Sequence, residues 1–317
     1  MSGPDGGAAT LTEYEAAQVR AIAAWKSTPP NPFAEAVKAV TLPGAKALER
    51  WIPKRKVRRA IDRAYDASAA LAGREDIKRR AGVGDLDELK RRPLEECDRL
   101  AGRVGAEARA IGVAEGAATG AGGVFTTAID VPLLFVLSVR TVLRIGHCYG
   151  EALDRPGDRR LVLGVLIAAT SGSLKVRRER LALLTAVEDW LLEEAQSEIL
   201  AEEALSFLFQ LDLFGEVPGV GAVSGAVLNL AFVRRVEVTA RRVFQSRWLR
   251  HNGKVDAIEP AEAHPRALAA GWNGVFGRAA HATAYAAGYG AAFPVFFMAP
   301  LLRPRNGRAP HAAPVPA

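Results

Sequence analysis

Residues 111–123, IGVAEGAATGAGG, and residues 217–233, VPGVGAVSGAVLNLAFV, decide how this chain can fold. Glycine recurs every four residues in the first stretch, and the second stretch repeats that spacing once. The positions are Gly112, Gly116, Gly120, Gly221 and Gly225. Residues four apart lie on one face of an α-helix, and a face of small residues lets a second helix approach closely. The two stretches therefore predict glycine-zipper helices that pack against other helices.

The composition is that of a folded globular protein. Of the 317 residues, 49% are hydrophobic and 24% are charged, which excludes a disordered chain. The two cysteines, Cys97 and Cys148, are too few and too far apart for a disulfide framework or a cysteine zinc site. No segment alternates apolar and polar residues as a half-buried strand does. The chain is therefore predicted to be all-α, a compact helical bundle.

Capping and breaking residues set the predicted helix boundaries. Thr12–Glu15 has the pattern of a capping box and starts a helix that runs to about Lys26. Further helices are predicted over residues 33–49, 55–72, 86–110 with an interruption near Pro93, and 176–211.

Positive charge is concentrated in one region. Between Arg50 and Arg92 there are 14 Lys and Arg residues against 7 Asp and Glu, and the densest run follows Trp51. That run consists of Lys54, Arg55, Lys56, Arg58 and Arg59. Basic residues beside an aromatic side chain suit an anionic membrane surface, and the alternative is a solvated helix face. Residues 181–233 carry nine acids and no Lys or Arg, so they could dock on the basic region.

One C-terminal segment is the strongest candidate for apolar insertion. Residues 279–302 lack Asp, Glu, Lys and Arg, but they contain two prolines and two glycines. A membrane span needs about 20 predominantly apolar residues, and only Phe293–Leu302 is strongly apolar. Interfacial or re-entrant contact is therefore expected rather than a span.

Enzyme signatures are missing from the sequence. It contains no HExxH, GxxxxGK[ST], GxSxG or ExxH motif, so no catalytic residue, metal or cofactor is predicted. His147 and Cys148 are neighbours, but adjacent helical residues point in different directions, so packing is their expected role. No nucleic-acid-binding module accompanies the basic run, and nucleic acid is not an expected partner.

Polar residues inside apolar segments form a second set of candidates. Glu115, Asp130 and Asn229 are expected to be paired or hydrogen-bonded, because an unpaired buried polar group is costly. Their candidate partners are Arg140, Arg144, Arg234 and Arg235. Asp130 could instead cap a helix, and Glu115 and Asn229 could fix helix register. The functional alternative is a polar cavity with Glu115 or Asp130 as an acid or base. Gln245 and Arg247 are interpreted as helix-surface contacts.

Several of these motifs together resemble the EcsC protein family. They are residues 114–123, Asp130–Pro132, Tyr149–Gly150, residues 221–229 and residues 243–249. The resemblance covers roughly residues 45–260, and it implies a bacterial protein of a family without an established biochemical activity. The chain then divides into an N-terminal helical extension with a proline-rich linker, the EcsC-like domain, an apolar helical segment and a disordered tail. Their bounds are residues 1–44, 45–260, 261–302 and 303–317.

The leading functional hypothesis is a non-enzymatic, peripheral membrane protein. The basic run would dock on anionic lipid at the inner face of the bacterial plasma membrane, and the glycine-rich helices could hold lipid. The second hypothesis is a cytoplasmic scaffold in which the basic region docks on the acidic segment, within one chain or in a homo-oligomer. The third is an enzyme that uses Glu115 or Asp130.

Overall fold

The computed structural model describes residues 10–28, 54–120, 127–171, 173–188 and 221–262. These residues form eight α-helices and one short 3₁₀ helix, and they contain no strand. The α-helices are α1 (Glu13–Ser27), α2 (Lys54–Leu71), α3 (Arg74–Ala81), α4 (Leu94–Gly120), α5 (Thr127–Cys148), α6 (Pro156–Thr170), α7 (Leu174–Glu188) and α8 (Gly221–His251). The 3₁₀ helix is Leu86–Arg91. The all-α prediction is confirmed.

Local sequence signals explain where these helices begin. Thr12 and Glu15 form the predicted capping box, since the Glu15 amide donates to Thr12 Oγ1 at 3.2 Å and the Thr12 amide to Glu15 Oε2 at 2.8 Å. Pro93 separates the 3₁₀ helix from α4, and its carbonyl accepts from the first free amides of α4. The predicted interruption of the 86–110 helix is therefore real, and α4 runs on to Gly120.

The centre of the bundle is the long pair α4 and α8, against which α5 packs. A Cβ atom added at Gly112 of α4 would lie 3.0 Å from Val233 Cγ2 of α8, so the two backbones are close at that point. Around Gly116, Gly120, Gly221 and Gly225 the packing lies outside the described residues. The four-residue glycine repeat thus remains a prediction.

The loop after α5 has an unusual backbone. Gly150 has φ +86°, and a Cβ atom there would lie 2.8 Å from the Lys90 amide nitrogen, so glycine is required. Leu153 has φ +53°, a conformation that a leucine rarely adopts. Its side chain is buried beside Gly146 of α5. This loop, residues 151–155, connects α5 to α6.

Some predicted segments fall outside the described residues, namely residues 33–49, 189–211 and 279–302. The helix expected over 176–211 is observed as α7, up to Glu188. Within the described part of the chain, no helix is both long enough and apolar enough to cross a membrane.

Close packing at Gly146 provides a test of the fold. A Cβ atom there would lie 2.5 Å from Leu153 Cδ1 and 2.8 Å from Phe244 Cζ, whereas a Cβ at Gly102 of α4 has no neighbour within 4 Å. Gly146→Ala should lower the free energy of unfolding by about 1–3 kcal/mol through overpacking. Gly102→Ala, the control, should raise it by up to about 1 kcal/mol. Urea unfolding measures both, and equal effects would contradict this packing.

Candidate functional site

The predicted basic run occupies the start of α2. Helix α2 begins at Lys54, so all five basic residues of the run lie in its first six positions, and the first turn contains no acid. Trp51 and the side chains of residues 54–61 lie outside the described part of the chain. The first acid, Asp62, accepts a hydrogen bond from Arg159 of α6 at 2.7 Å. The run therefore stands at a helix N-terminus, and the first acid that follows it along α2 is already engaged.

The rest of α2 is held firmly against α5. Tyr65, Ser68 and Ala72 are buried, and Ser68 Oγ donates to the Val136 carbonyl of α5 at 3.2 Å. The Arg159 guanidinium stacks over the Tyr65 ring, 4.6 Å from its centre. These contacts hold the second half of α2 in place against α5 and α6.

Two predicted arginines secure the C-terminal end of α2. Arg140 Nε donates to the Leu71 carbonyl at 2.8 Å, and the buried Arg144 forms ion pairs with Asp76 at 3.0 Å and Glu107 at 3.3 Å. Burial alone would raise the pKa of Asp76, but hydrogen bonds from Arg144 and Arg80 outweigh it and lower that pKa. Among the described residues, the partners of Arg144 are therefore carboxylates of α3 and α4, while the side chains of Glu115 and Asp130 lie outside that part of the chain.

The remaining polar residues that the sequence singled out are partly described by the structure. Arg234 is exposed, so the structure does not place it among the buried polar residues. Its neighbour Arg235 points inward and donates to the Ser171 carbonyl at 2.8 Å. Glu115, Asp130 and Asn229 lie within helices, but their side chains are outside the described residues.

The most extensive buried polar network centres on Asp98 of α4, a residue that sequence reasoning missed. Asp98 is only 3% exposed, and its carboxylate accepts hydrogen bonds from the Tyr14 hydroxyl at 2.6 Å, from the Tyr149 hydroxyl, and from Gln245 Nε2 at 2.7 and 2.8 Å. Arg241 and Arg242 of α8 interact with it electrostatically. The network joins α1, α4, α8 and the end of α5.

Burial keeps the donors of this network protonated. It raises the pKa of both Tyr14 and Tyr149, and the Asp98 carboxylate raises each of them further. Gln245 is 1% exposed, so its interpretation as a surface contact was wrong. The three donors are separated from Asp98 by 84, 51 and 147 residues, and no local pattern could have paired them.

Two cavities open beside the 151–155 loop. One of 470 Å³ has strongly polar walls, where Arg247 Nε donates to Glu151 Oε1 at 3.0 Å. The other, of 570 Å³, lies between α2, α5 and α6 and contains His147. Among the described residues, no group of three or more His, Cys, Asp and Glu side chains could hold a metal ion. The two cavities thus differ, one with charged polar walls and one with His147 in its lining.

The chain is similar to one protein family and to two proteins of Bacillus subtilis. The model of the EcsC protein family matches residues 16–249, from within α1 to near the end of α8. Protein EcsC of Bacillus subtilis is 29% identical over 159 residues, which are 50% of this chain and 66% of that protein. The uncharacterized protein YdbA of Bacillus subtilis is 28% identical over 168 residues, 51% of this chain and 61% of that protein. The matches thus cover less than two thirds of either relative. No solved structure matches the chain significantly.

Asp98→Asn should weaken the whole bundle. An amide nitrogen cannot accept the hydrogen bonds that the carboxylate receives, so buried donors would lose a partner, at a cost of about 3 kcal/mol. The control is Asp87→Asn, because the Asp87 side chain is 71% exposed and forms a surface ion pair with Lys90. That change should stay within about 0.5 kcal/mol. Chemical unfolding of both variants decides whether Asp98 holds the helices together.

His147 should make stability depend on pH. Burial lowers its pKa from 6.5 to about 4, so between these values the unfolded chain binds a proton that the folded chain does not. Stability should therefore fall as the pH drops from 6.5 to 4, by on the order of 3 kcal/mol at the lower end. His147→Asn keeps a donor for the Glu151 carbonyl but removes this titration. In that variant the free energy of unfolding should depend less on pH between 4 and 6.5, as measured by urea unfolding at each pH. An unchanged pH dependence would mean that groups other than His147 cause it.

Proposed function

The chain belongs to the EcsC protein family, and we propose that it is a peripheral membrane-associated protein that docks on anionic lipid through residues 54–59, the basic start of α2. The docking would be reversible and non-enzymatic. It would place the chain at the cytoplasmic face of the membrane, where anionic lipid is exposed.

One observation carries this proposal, the position of the basic run on its helix. The N-terminus of an α-helix carries a partial positive charge, which favours acidic residues there and disfavours basic ones. Helix α2 has the opposite arrangement, with five basic residues in six positions and no acid in the first turn. This arrangement does not stabilise the helix by itself. An anionic surface would satisfy both the side-chain charges and the first-turn amides, which have no acceptor within the helix.

The anchoring of α2 supports the same proposal. Its second half is fixed by Tyr65 and Ser68 on one side and by Arg140 and Arg144 at its end. A basic run on a fixed helix loses less conformational entropy on docking than a run on a free segment. Each basic residue near an anionic membrane contributes about 1 kcal/mol, so five of them suffice for reversible, salt-sensitive binding.

Vesicle flotation tests this proposal. The full chain should float with vesicles of phosphatidylglycerol and phosphatidylcholine at low salt, sink at high salt, and sink with phosphatidylcholine alone. Combined charge reversal to Glu at Arg55, Lys56, Arg58 and Arg59 should reduce recovery at least about tenfold. The matched control reverses the same number of charges at exposed arginines elsewhere, Arg20, Arg91, Arg99 and Arg103, and should retain most of the flotation.

Three outcomes would contradict the proposal. Equal losses in the two variants would mean that net charge, not the α2 run, governs recovery. Flotation that survives high salt would indicate apolar insertion. No flotation, together with salt-sensitive self-association, would favour the scaffold in which residues 50–92 dock on the acidic segment after residue 181.

A further inference from the structure

The 570 Å³ cavity has the size of a small-molecule site, and the proposed docking surface does not use it. It is framed by the second half of α2, by α5, by the start of α6 and by the 151–155 loop. Its lining, as far as side chains are described, comes from residues outside the 54–59 run. The cavity therefore needs an explanation of its own.

Its inner wall is apolar. Tyr65, Ala72, Leu143 and Leu153 line the cavity, and each of them is buried in the bundle core. A wall of this kind favours an apolar body, because water in contact with it is easily displaced.

Its outer rim is cationic. Among the described lining residues there are three arginines and one acid, namely Arg74, Arg155, Arg159 and Asp154. Arg74 donates to the Ala152 carbonyl at 2.7 Å and lies 3.4 Å from Asp154, while Arg159 is shared between Asp62 and the Tyr65 ring. Arg155 is exposed, and within the described residues it forms no ion pair. The rim thus has an excess of guanidinium groups, which are suited to phosphate or carboxylate.

A buried acceptor lies in the same cavity. His147 is 3% exposed, and its Nδ1 lies 2.8 Å from the Glu151 carbonyl oxygen. Because a carbonyl oxygen can only accept, the proton is on Nδ1, and Nε2 carries a lone pair. Among the described residues, none donates a hydrogen bond to Nε2. Burial lowers the pKa of His147 to about 4, so the ring remains a neutral acceptor at pH 7.

We propose that this cavity binds a single-chain anionic amphiphile. The phosphate or carboxylate head would lie at the Arg155–Arg159 rim, and the chain would lie along Tyr65 and Leu143. A hydroxyl next to the head could donate to His147 Nε2. The proposal goes beyond membrane docking and is independent of it, because the two use different residues.

Isothermal titration calorimetry on the full chain tests the proposal with three probes. Dodecyl phosphate, kept below its critical micelle concentration, should bind once per chain. Inorganic phosphate has the anionic group without the chain, and dodecanol has the chain without the anionic group. Each should bind at least about tenfold more weakly than dodecyl phosphate. Arg155→Gln should weaken dodecyl phosphate binding by a similar factor. Arg91→Gln, the control, removes an exposed arginine outside the cavity and should have no effect.

A second variant tests the cavity itself. Ala69 lines it from the exposed side of α2, so Ala69→Trp should block binding without disturbing the core. Unchanged binding in both Arg155→Gln and Ala69→Trp would overturn the site. If inorganic phosphate bound as tightly as dodecyl phosphate, the apolar chain would contribute nothing, and the assignment of an amphiphile would be wrong. No binding of dodecyl phosphate would overturn the whole proposal. The α2 charge-reversal variant should bind dodecyl phosphate normally, which separates this result from the flotation result.

Discussion

The Asp98 carboxylate imposes the constraint on which the helix arrangement depends. A buried carboxylate is stable only when donors surround it, and here the donors come from α1, from the residue after α5 and from α8. Arg242 extends the network by donating to Gln18 and to Gln245 at 3.0 and 2.9 Å. Each helix must therefore keep its rotation about its own axis and its position along that axis for the Asp98 carboxylate to keep its hydrogen bonds. Apolar packing supplies the bulk of the driving force, but this network selects one arrangement among the packings that apolar contacts alone would permit.

Much of the positive charge in this chain has a structural role. Arginines donate to the carbonyls at the C-terminal ends of helices, where the backbone has no further amide partner. Arg140 does so for α2, Arg177 for α1 and Arg235 for α6. These guanidiniums are engaged with the bundle and are poor candidates for an external anion. Residues 54–59 differ from these arginines because they lie at the start of a helix rather than beside the end of one. This difference supports them as the lipid-docking residues.

The sequence was sufficient for local structure. The capping box at Thr12, the break at Pro93 and the bounds of α2 to within one residue all follow from signals within a few positions. The family resemblance was likewise correct, although the matched stretch begins at residue 16 and includes α1. Partners far apart in the chain could not be predicted, because helical periodicity identifies a buried face but not what covers it. The ion pairs of Arg144 with Asp76 and Glu107 are one example of such partners. The burial of Gln245 against Asp98 is another.

The position of α1 has a consequence for how the chain is made. Gln18 meets Arg242 across 224 residues of sequence, and Lys26 Nζ donates to the Ile258 carbonyl across 232. During synthesis α1 leaves the ribosome before α8, so the surface of α8 that binds α1 forms after α1 itself. Until α8 is made, α1 has its contacts with α4 and α7 but none with α8, and the Asp98 carboxylate lacks its donor from Gln245. Closure of the bundle is therefore a late event with a large loop-closure entropy, and chains that stall before α8 would present an incomplete core to chaperones and proteases.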